Sequence, residues 1–189
     1  MIYFIADPHF GHDNIIKYCA RPFKSAGEMN SVIVGNWNAS VNMDDTVYVI
    51  GDLFFGSCPN PEGYLQRLNG KKFLTPGNHD EVWMKHIDVS SYFEDVALMM
   101  EIPYSKKHMI TLCHYPMMSW KGDRNASGFM IHGHIHNRTD ADYFPLIRSN
   151  PNMLNAGVEI NGFKPVTFDE LVKNNQKFKM SAVNLPRRA

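Results

Sequence analysis

Five short apolar runs in this chain each stop at residues of metal-binding type, and that recurrence constrains the fold more than any other feature. Ile2-Tyr3-Phe4-Ile5-Ala6 leads into Asp7-Pro8-His9, Thr46-Val47-Tyr48-Val49-Ile50 into Gly51-Asp52, and Lys71-Lys72-Phe73-Leu74-Thr75 through Pro76 into Gly77-Asn78-His79-Asp80. Ile110-Thr111-Leu112-Cys113 leads into His114, and Phe129-Met130-Ile131-His132 into Gly133-His134-x-His136. Runs this rich in β-branched and aromatic residues, bounded by Gly, Pro and Asp, read as strands. Loops at the carboxyl ends of strands are where α/β folds gather their sites.

Between the first three runs the pattern turns helical. Met29, Val32, Ile33, Asn36 and Trp37 give a stripe from Glu28 to about Val41, with Ser25 or Asn30 as the cap. Pro61 to Leu68 predicts a helix that Asn69-Gly70 stops, and Glu81 to His86 a short one. Beyond that point strands dominate. Tyr92 to Ile102 and Lys107 to His114 read as consecutive strands around a turn, Met153 to Ala156 as a later one, and Val166 to Val172 as strand or helix. The alternation followed by strands predicts a mixed sheet, or two packed sheets, with helices outside.

A chain of 189 residues suits a single domain spanning 1–189, with a loosely held tail from about residue 180 through Arg187 and Arg188. Lys plus Arg equals Asp plus Glu, 19 against 19, so no net field draws in a polyanion along its length, and extended duplex nucleic acid is not an expected partner. No membrane-length apolar stretch or secretory signal is visible. Cys19, Cys58 and Cys113 fit no zinc-ribbon spacing and read as free thiols of a reducing cytoplasm, Cys113 at a buried strand position.

The residue types at the five run ends share one chemistry. Asp, His and the neutral amide oxygen of Asn are ligands for divalent ions. On an extended backbone, residues two apart face the same side, so Asp7 and His9 could face one metal together, and His134 and His136 could straddle two ions. Adjacent residues face opposite ways. If Asn78 faces a metal, the ring of His79 is left for the substrate.

Taken in order, Asp7-x-His9, Gly51-Asp52, Gly77-Asn78-His79-Asp80, His114 and Gly133-His134-x-His136 resemble the five motifs of the calcineurin-like metallophosphoesterases. Phe10-Gly11-His12-Asp13-Asn14-Ile15-Ile16-Lys17-Tyr18 and Asn36-Trp37-Asn38 resemble segments of that superfamily's small bacterial and phage phosphoesterases. The resemblance implies an α/β/β/α sandwich of two mixed sheets flanked by helices, with a dinuclear metal site. It implies Asp7, His9 and His136 on one ion, Asn78, His114 and His134 on the other, and Asp52 bridging them. It further implies that His79 contacts the phosphate and assists the leaving group, with Asp80 orienting it.

The implied chemistry is coherent. Two divalent ions less two carboxylates leave a net positive site for a phosphate anion. Ions ~3.5–4 Å apart can hold a hydroxide in line with the leaving oxygen. A protonated His79 would stabilise that oxygen, a general-acid role worth ~10²–10⁴ in rate. Manganese, iron, zinc and nickel all suit the ligand set, manganese being preferred. The substrate is expected to be a phosphodiester, nucleotide-type among the possibilities. A nuclease acting on short single strands, a phosphomonoesterase and a scaffold without catalysis are the alternatives. Gly51-Asp52-Leu53-Phe54-Phe55-Gly56 lacks the Asp-Arg-Gly that follows the bridging Asp in protein Ser/Thr phosphatases, and Asp80 replaces their usual Glu, which disfavours phosphoproteins.

Other polar residues read more plainly. His86, His108 and His132 are expected to be structural, and Asp13, Asp44, Asp45 and Asp123 to sit in turns. Lys71-Lys72 and Lys106-Lys107 suggest solvated surface, and Met117-Met118 core filler. His12 is either a phosphate contact or a loop residue. Arg21, Arg124 and Arg148 are candidate substrate contacts with no spacing argument behind them.

Overall fold

A computed structural model describes residues 1–181 except 57, 107 and 126, together with the backbone but not the side chain at 125. The expected tail beyond 181, with Arg187 and Arg188, and Lys107 lie outside the described residues. In chain order the elements are β1 (Ile2–Ile5), α1 (Asp13–Tyr18), α2 (Ala26–Ser40), β2 (Thr46–Val49), α3 (Pro61–Leu65), β3 (Lys71–Leu74), α4 (Asp80–Met84) and β4 (Asp95–Val96). They continue as β5 (Met99–Pro103), β6 (Met109–Cys113), β7 (Gly128–His132), α5 (Phe144–Ser149), β8 (Met153–Asn155) and α6 (Phe168–Ser181).

Two four-stranded sheets result, ordered β1-β2-β3-β4 and β5-β6-β7-β8. The named strands of the first are parallel, and an antiparallel bridge between Phe4 and Val166 adds to its β1 edge. In the second, β5 is antiparallel to β6 while β6, β7 and β8 are parallel. The two mixed sheets, flanked by helices, form the α/β/β/α sandwich that the motif resemblance implies. They meet where Ala6 N donates to Ala156 O at 2.9 Å and Val158 N donates to Ala6 O at 3.1 Å.

Side-chain alternation along β1 and β2 builds the layers. Tyr3, Ile5, Val47 and Val49 join one apolar cluster with Met29, Ile33 and Trp37 of α2, Leu65 of α3 and Trp83 of α4. Phe4, Ala6, Tyr48 and Ile50 belong instead to the inter-sheet layer, with Ile110, Leu112, Ile131 and Leu154 opposite and Leu171 of α6 at its edge. Met130 and Met153 point away from that layer and pack with Ile147 of α5. Ser25 caps α2, its side chain accepting from Glu28 N at 3.2 Å.

Three local expectations need correction. Tyr92–Ile102 is not one strand: β4 closes the first sheet and, two residues later, β5 opens the second. Periodicity cannot reveal such a crossing, because Val96-Ala97-Leu98-Met99-Met100 is one apolar run with no Gly, Pro or Asn to mark where the chain changes sheet. Lys72 is buried, its Nζ donating to Leu68 O at 2.9 Å and Gly70 O at 2.8 Å, and so holds the turn after α3. Met118 is exposed, whereas Met117 packs on the outer cluster. The short helices α1 and α5 were invisible to the stripe criterion, six residues being under two turns.

Candidate metal centre

The loops after β1 and β2 run side by side: Asp7 N donates to Gly51 O at 3.0 Å, His9 N to Asp52 O at 3.0 Å, and Phe10 N to Leu53 O at 2.9 Å. That pairing places Asp7, His9 and Asp52 together at the carboxyl ends of adjacent parallel strands. It is not achieved on an extended backbone. Asp7, His9, Asp52, His134 and His136 have φ of 57°, 54°, 53°, 68° and 50°, all in the left-handed region. Left-handed turns, not the two-residue spacing of an extended strand, aim the side chains of Asp7 and His9 and of His134 and His136. Each such residue costs ~1–3 kcal/mol and persists only where its surroundings over-determine it. Gly51 (φ 77°) has no alternative, because a Cβ there would collide with the ring of His114, and one on Gly77 would collide with the Asp52 carboxylate.

The side chains converge in two overlapping sets. Ligand atoms of Asp7, His9 and His136 lie within 4.8 Å of one another, as do those of Asp7, Asp52 and His114. Asp7 is common to both sets, and Asp52 Oδ2, in the second set 3.4 Å from His114 Nε2, is also 3.5 Å from His9 Nε2 of the first. Asn78 Oδ1 is 3.3 Å from His114 Nε2 and 3.1 Å from His134 Nδ1. The opposite ring nitrogens are held: His114 Nδ1 lies 3.0 Å from Ile50 O, and His136 Nδ1 lies 2.9 Å from Glu159 Oε1. An acceptor behind the ring in this way fixes the tautomer that leaves the other nitrogen for a cation.

The electrostatics fit divalent ions. Both ring nitrogens of His9 are buried without a hydrogen-bond partner, and burial holds its imidazole neutral, well below its usual pKa. Burial also pushes the Asp7 carboxyl up to about 6. Burial disfavours charge on His136 and His114 too, but neighbouring groups outweigh it. Asp7 and Glu159, with Cys19, raise His136 to about 11, and Asp52 and Asp7, with the Ile50 carbonyl, raise His114 to about 9. The buried carboxylates thus draw protons onto their neighbours, the demand that bound cations would satisfy. Cys19, His136 and Glu159 form a further group within 4.8 Å. There the positive charge is already supplied by Arg21, whose Nη2 is 2.6 Å from Glu159 Oε1.

Arg21, a candidate substrate contact by sequence, is buried behind the centre instead. Its Nη1 donates to Pro8 O and its Nη2 to Asp7 O, both at 2.8 Å, while Nε and Nη2 reach Glu159 Oε1. One guanidinium therefore grips the left-handed Asp7–His9 turn and, through Glu159, the ring of His136. No spacing rule signals this, because Glu159 lies 138 residues from Arg21. Arg124 and Arg148 are exposed and do not line the cleft beside the centre.

Asp80 also departs from expectation. Its Oδ2 accepts from Asp52 N at 2.7 Å and Gly77 N at 2.8 Å, and its Oδ1 from Leu53 N at 2.9 Å and Trp83 Nε1 at 2.7 Å. The carboxylate is fully buried and ties the Asp52 loop to the Asn78 loop, rather than orienting His79. His79 N donates to Asp52 Oδ1 at 2.9 Å, and its half-buried ring lines a cleft of about 1180 Å³, its centroid 5.2 Å from that of His9. His12 shares that cleft, stacked on Phe55 with centroids 3.7 Å apart and planes 9° apart. His132 is buried in β7 as expected, its Nδ1 2.9 Å from Gly133 O. Asp45 is buried in its turn, accepting from Asn42 N at 2.8 Å.

A family model for calcineurin-like phosphoesterases matches residues 1–178. The chain belongs to that family. An uncharacterised protein of Methanocaldococcus jannaschii is 37% identical over 183 residues, covering 95% of this chain and 93% of its own length. The gene 66 protein of Mycobacterium phage L5 is 27% identical over 160 residues, covering 71% and 76%. Among solved structures, a protein of unknown function from Aquifex aeolicus superposes with a TM-score of 0.70 at 29% identity, covering 92% of this chain and 98% of that one. As a calcineurin-like phosphoesterase the chain has a phosphate ester as its substrate class and Asp/His clusters able to hold metal. Among the described residues no helix is long and apolar enough to cross a membrane.

Proposed function

We propose that the protein is a dinuclear-metal phosphodiesterase. The observation that carries this is Asp52 Oδ2 lying between His9 Nε2 and His114 Nε2, at 3.5 and 3.4 Å, where one carboxylate oxygen serves two ligand sets. Asp7, His9, Asp52 and His136 would hold one ion, and Asp52, Asn78, His114 and His134 the other, manganese being preferred over iron, zinc or nickel. When bound, the ions supply Lewis acidity towards the phosphoryl oxygens and lower the pKa of coordinated water. His79, on the cleft wall beside His9, donates a proton to the leaving oxygen, and Asp80 acts by fixing the loops that carry Asp52 and Asn78. His12, flat against Phe55, forms the wall over the bound ester.

A diester is favoured over a monoester by charge. Arg138 is the sole Lys or Arg among the described cleft residues, and its Nε donates to Asp140 at 2.9 Å. A dianionic monoester would call for more fixed cations than that; a monoanionic diester does not. Three cysteines without disulfides fit a reducing, cytoplasmic setting. The test is turnover of bis-p-nitrophenyl phosphate by chelator-stripped protein before and after manganese is restored. Metal-dependent hydrolysis that exceeds p-nitrophenyl phosphate turnover is expected. A metal-loaded protein that hydrolyses neither compound refutes the assignment.

A further inference from the structure

The cleft beside the metal centre is far larger than a phosphate needs. At about 1180 Å³ it exceeds the usual range of small-molecule pockets. It extends away from His9, His79 and His136 to a rim carrying Asn14 and Tyr18 of α1 and the segment from Asn137 to Tyr143. These two segments are joined at its base, where Asn137 Nδ2 donates to Cys19 O at 2.9 Å.

The lining is aromatic where it faces solvent. Tyr18 is 74% exposed and Tyr143 40% exposed, although both flank a polar, metal-binding pocket. The Tyr18 ring meets the edge of His12 with centroids 6.3 Å apart, so Tyr18, His12 and Phe55 make a continuous aromatic row leading from the rim to His79. Exposed π faces are costly to leave in water and are recurrent platforms for flat rings. The same lining carries polar groups able to pair with ring heteroatoms, Asn14 and Thr139 among them. A lipid or plain alkyl ester would have no use for those polar groups, and a simple sugar little use for the aromatic row.

We propose that this cleft receives the nucleoside part of a nucleoside phosphodiester, with Tyr18 and Tyr143 as specificity-determining residues that stack the base. The inference rests on the phosphodiesterase reading and names its substrate class. Hydrolysis consumes one water: the phosphorus–oxygen bond to the leaving alcohol breaks and one to the water oxygen forms. One water proton ends on the leaving alcohol, and the nucleoside monophosphate remains.

The experiment compares thymidine 5′-(p-nitrophenyl phosphate) with methyl p-nitrophenyl phosphate on manganese-loaded protein. Both are diesters that release p-nitrophenolate, and they differ in the group the cleft would hold. The expected kcat/KM ratio favours the nucleoside ester by roughly five- to a hundredfold, the range one base–aromatic stack supplies. Tyr18→Ala and Tyr143→Ala should each shrink that ratio severalfold and weaken thymidine 5′-monophosphate binding measured by calorimetry. Tyr18→Phe should restore it, because the ring rather than the hydroxyl does the stacking. Equal kcat/KM for the two esters, or a preference that neither alanine variant reduces, overturns the cleft assignment alone. Hydrolysis of neither ester overturns the phosphodiesterase reading on which it rests.

Discussion

Replacing Asp80 by Asn separates two roles for a carboxylate adjacent to His79, the proposed proton donor. Each oxygen of Asp80 accepts two hydrogen bonds, Oδ2 from Asp52 N and Gly77 N, and Oδ1 from Leu53 N and Trp83 Nε1. The amide of Asn keeps one acceptor and turns an NH₂ towards two N–H donors, so two of the four bonds are lost and two buried donors are left unsatisfied. Bonds to a charged acceptor are worth ~1.5–3 kcal/mol each, which sets an upper figure of ~3–6 kcal/mol. Burial already raises the Asp80 pKa, and removing that buried charge offsets part of the loss, so ~2–4 kcal/mol is expected. Urea unfolding of the metal-free protein should show a lower midpoint with an unchanged slope. Calorimetric manganese titration should show affinity reduced roughly 10- to 100-fold, the scale for second-shell partners, because the loops of Asp52 and Asn78 lose their common anchor. An Asp80→Asn protein with the wild-type midpoint and metal affinity, yet reduced turnover, would refute this and return Asp80 to the His79 ring.

Four further outcomes follow from the same geometry. His79→Ala should retain two ions per chain by elemental analysis while kcat falls ~10²–10⁴-fold, the general-acid range; loss of an ion would show that the ring is a ligand. Glu159→Gln should weaken one of two manganese-binding steps roughly 10- to 100-fold and spare the other, because Glu159 touches His136 and not His114 or His134. In chelator, the carboxyl of Glu159 is buried and its ion pairs with His136 and Arg21 hold it down to about 2, below its usual value of 4.5. The stability it adds is therefore present above pH 4.5 and lost as pH falls towards 2, so the gap between wild type and Glu159→Gln should narrow over that interval. Arg21→Met leaves the Pro8 and Asp7 carbonyls without their donors and Glu159 with the ring of His136 in place of two partners, and should cost ~3–5 kcal/mol in denaturant unfolding.

Much of the architecture was legible locally. The run Thr46–Ile50 reads as a strand and the Met29–Trp37 stripe as a helix, because each carries its own period, while the choice of Ser25 over Asn30 as the cap came from the structure. The Tyr92–Ile102 region reads as one strand because the apolar run Val96–Met100 carries no turn residue, and which partner a strand pairs with is not a local property.

The sequence by itself determined which residue types stand at the strand ends, and in what order. Asp, Asn and His at five run ends carry their ligand chemistry wherever the chain takes them, and their order from Asp7 to His136 is what resembles the family that the chain belongs to. The tertiary structure alone decided how those side chains are aimed and what holds them. Convergence depends on left-handed backbone at Asp7, His9, Asp52, His134 and His136, a state that Asp and His enter more readily than most residues but that still costs free energy and is sustained by the surrounding contacts. Those contacts come from far along the chain, as with Arg21 gripping Asp7, Pro8 and Glu159, and Asp80 bridging two loops. A side chain's hydrogen-bond partners are set by three-dimensional proximity, which is why Arg21, Glu159 and Asp80 acquired their roles only in the folded protein.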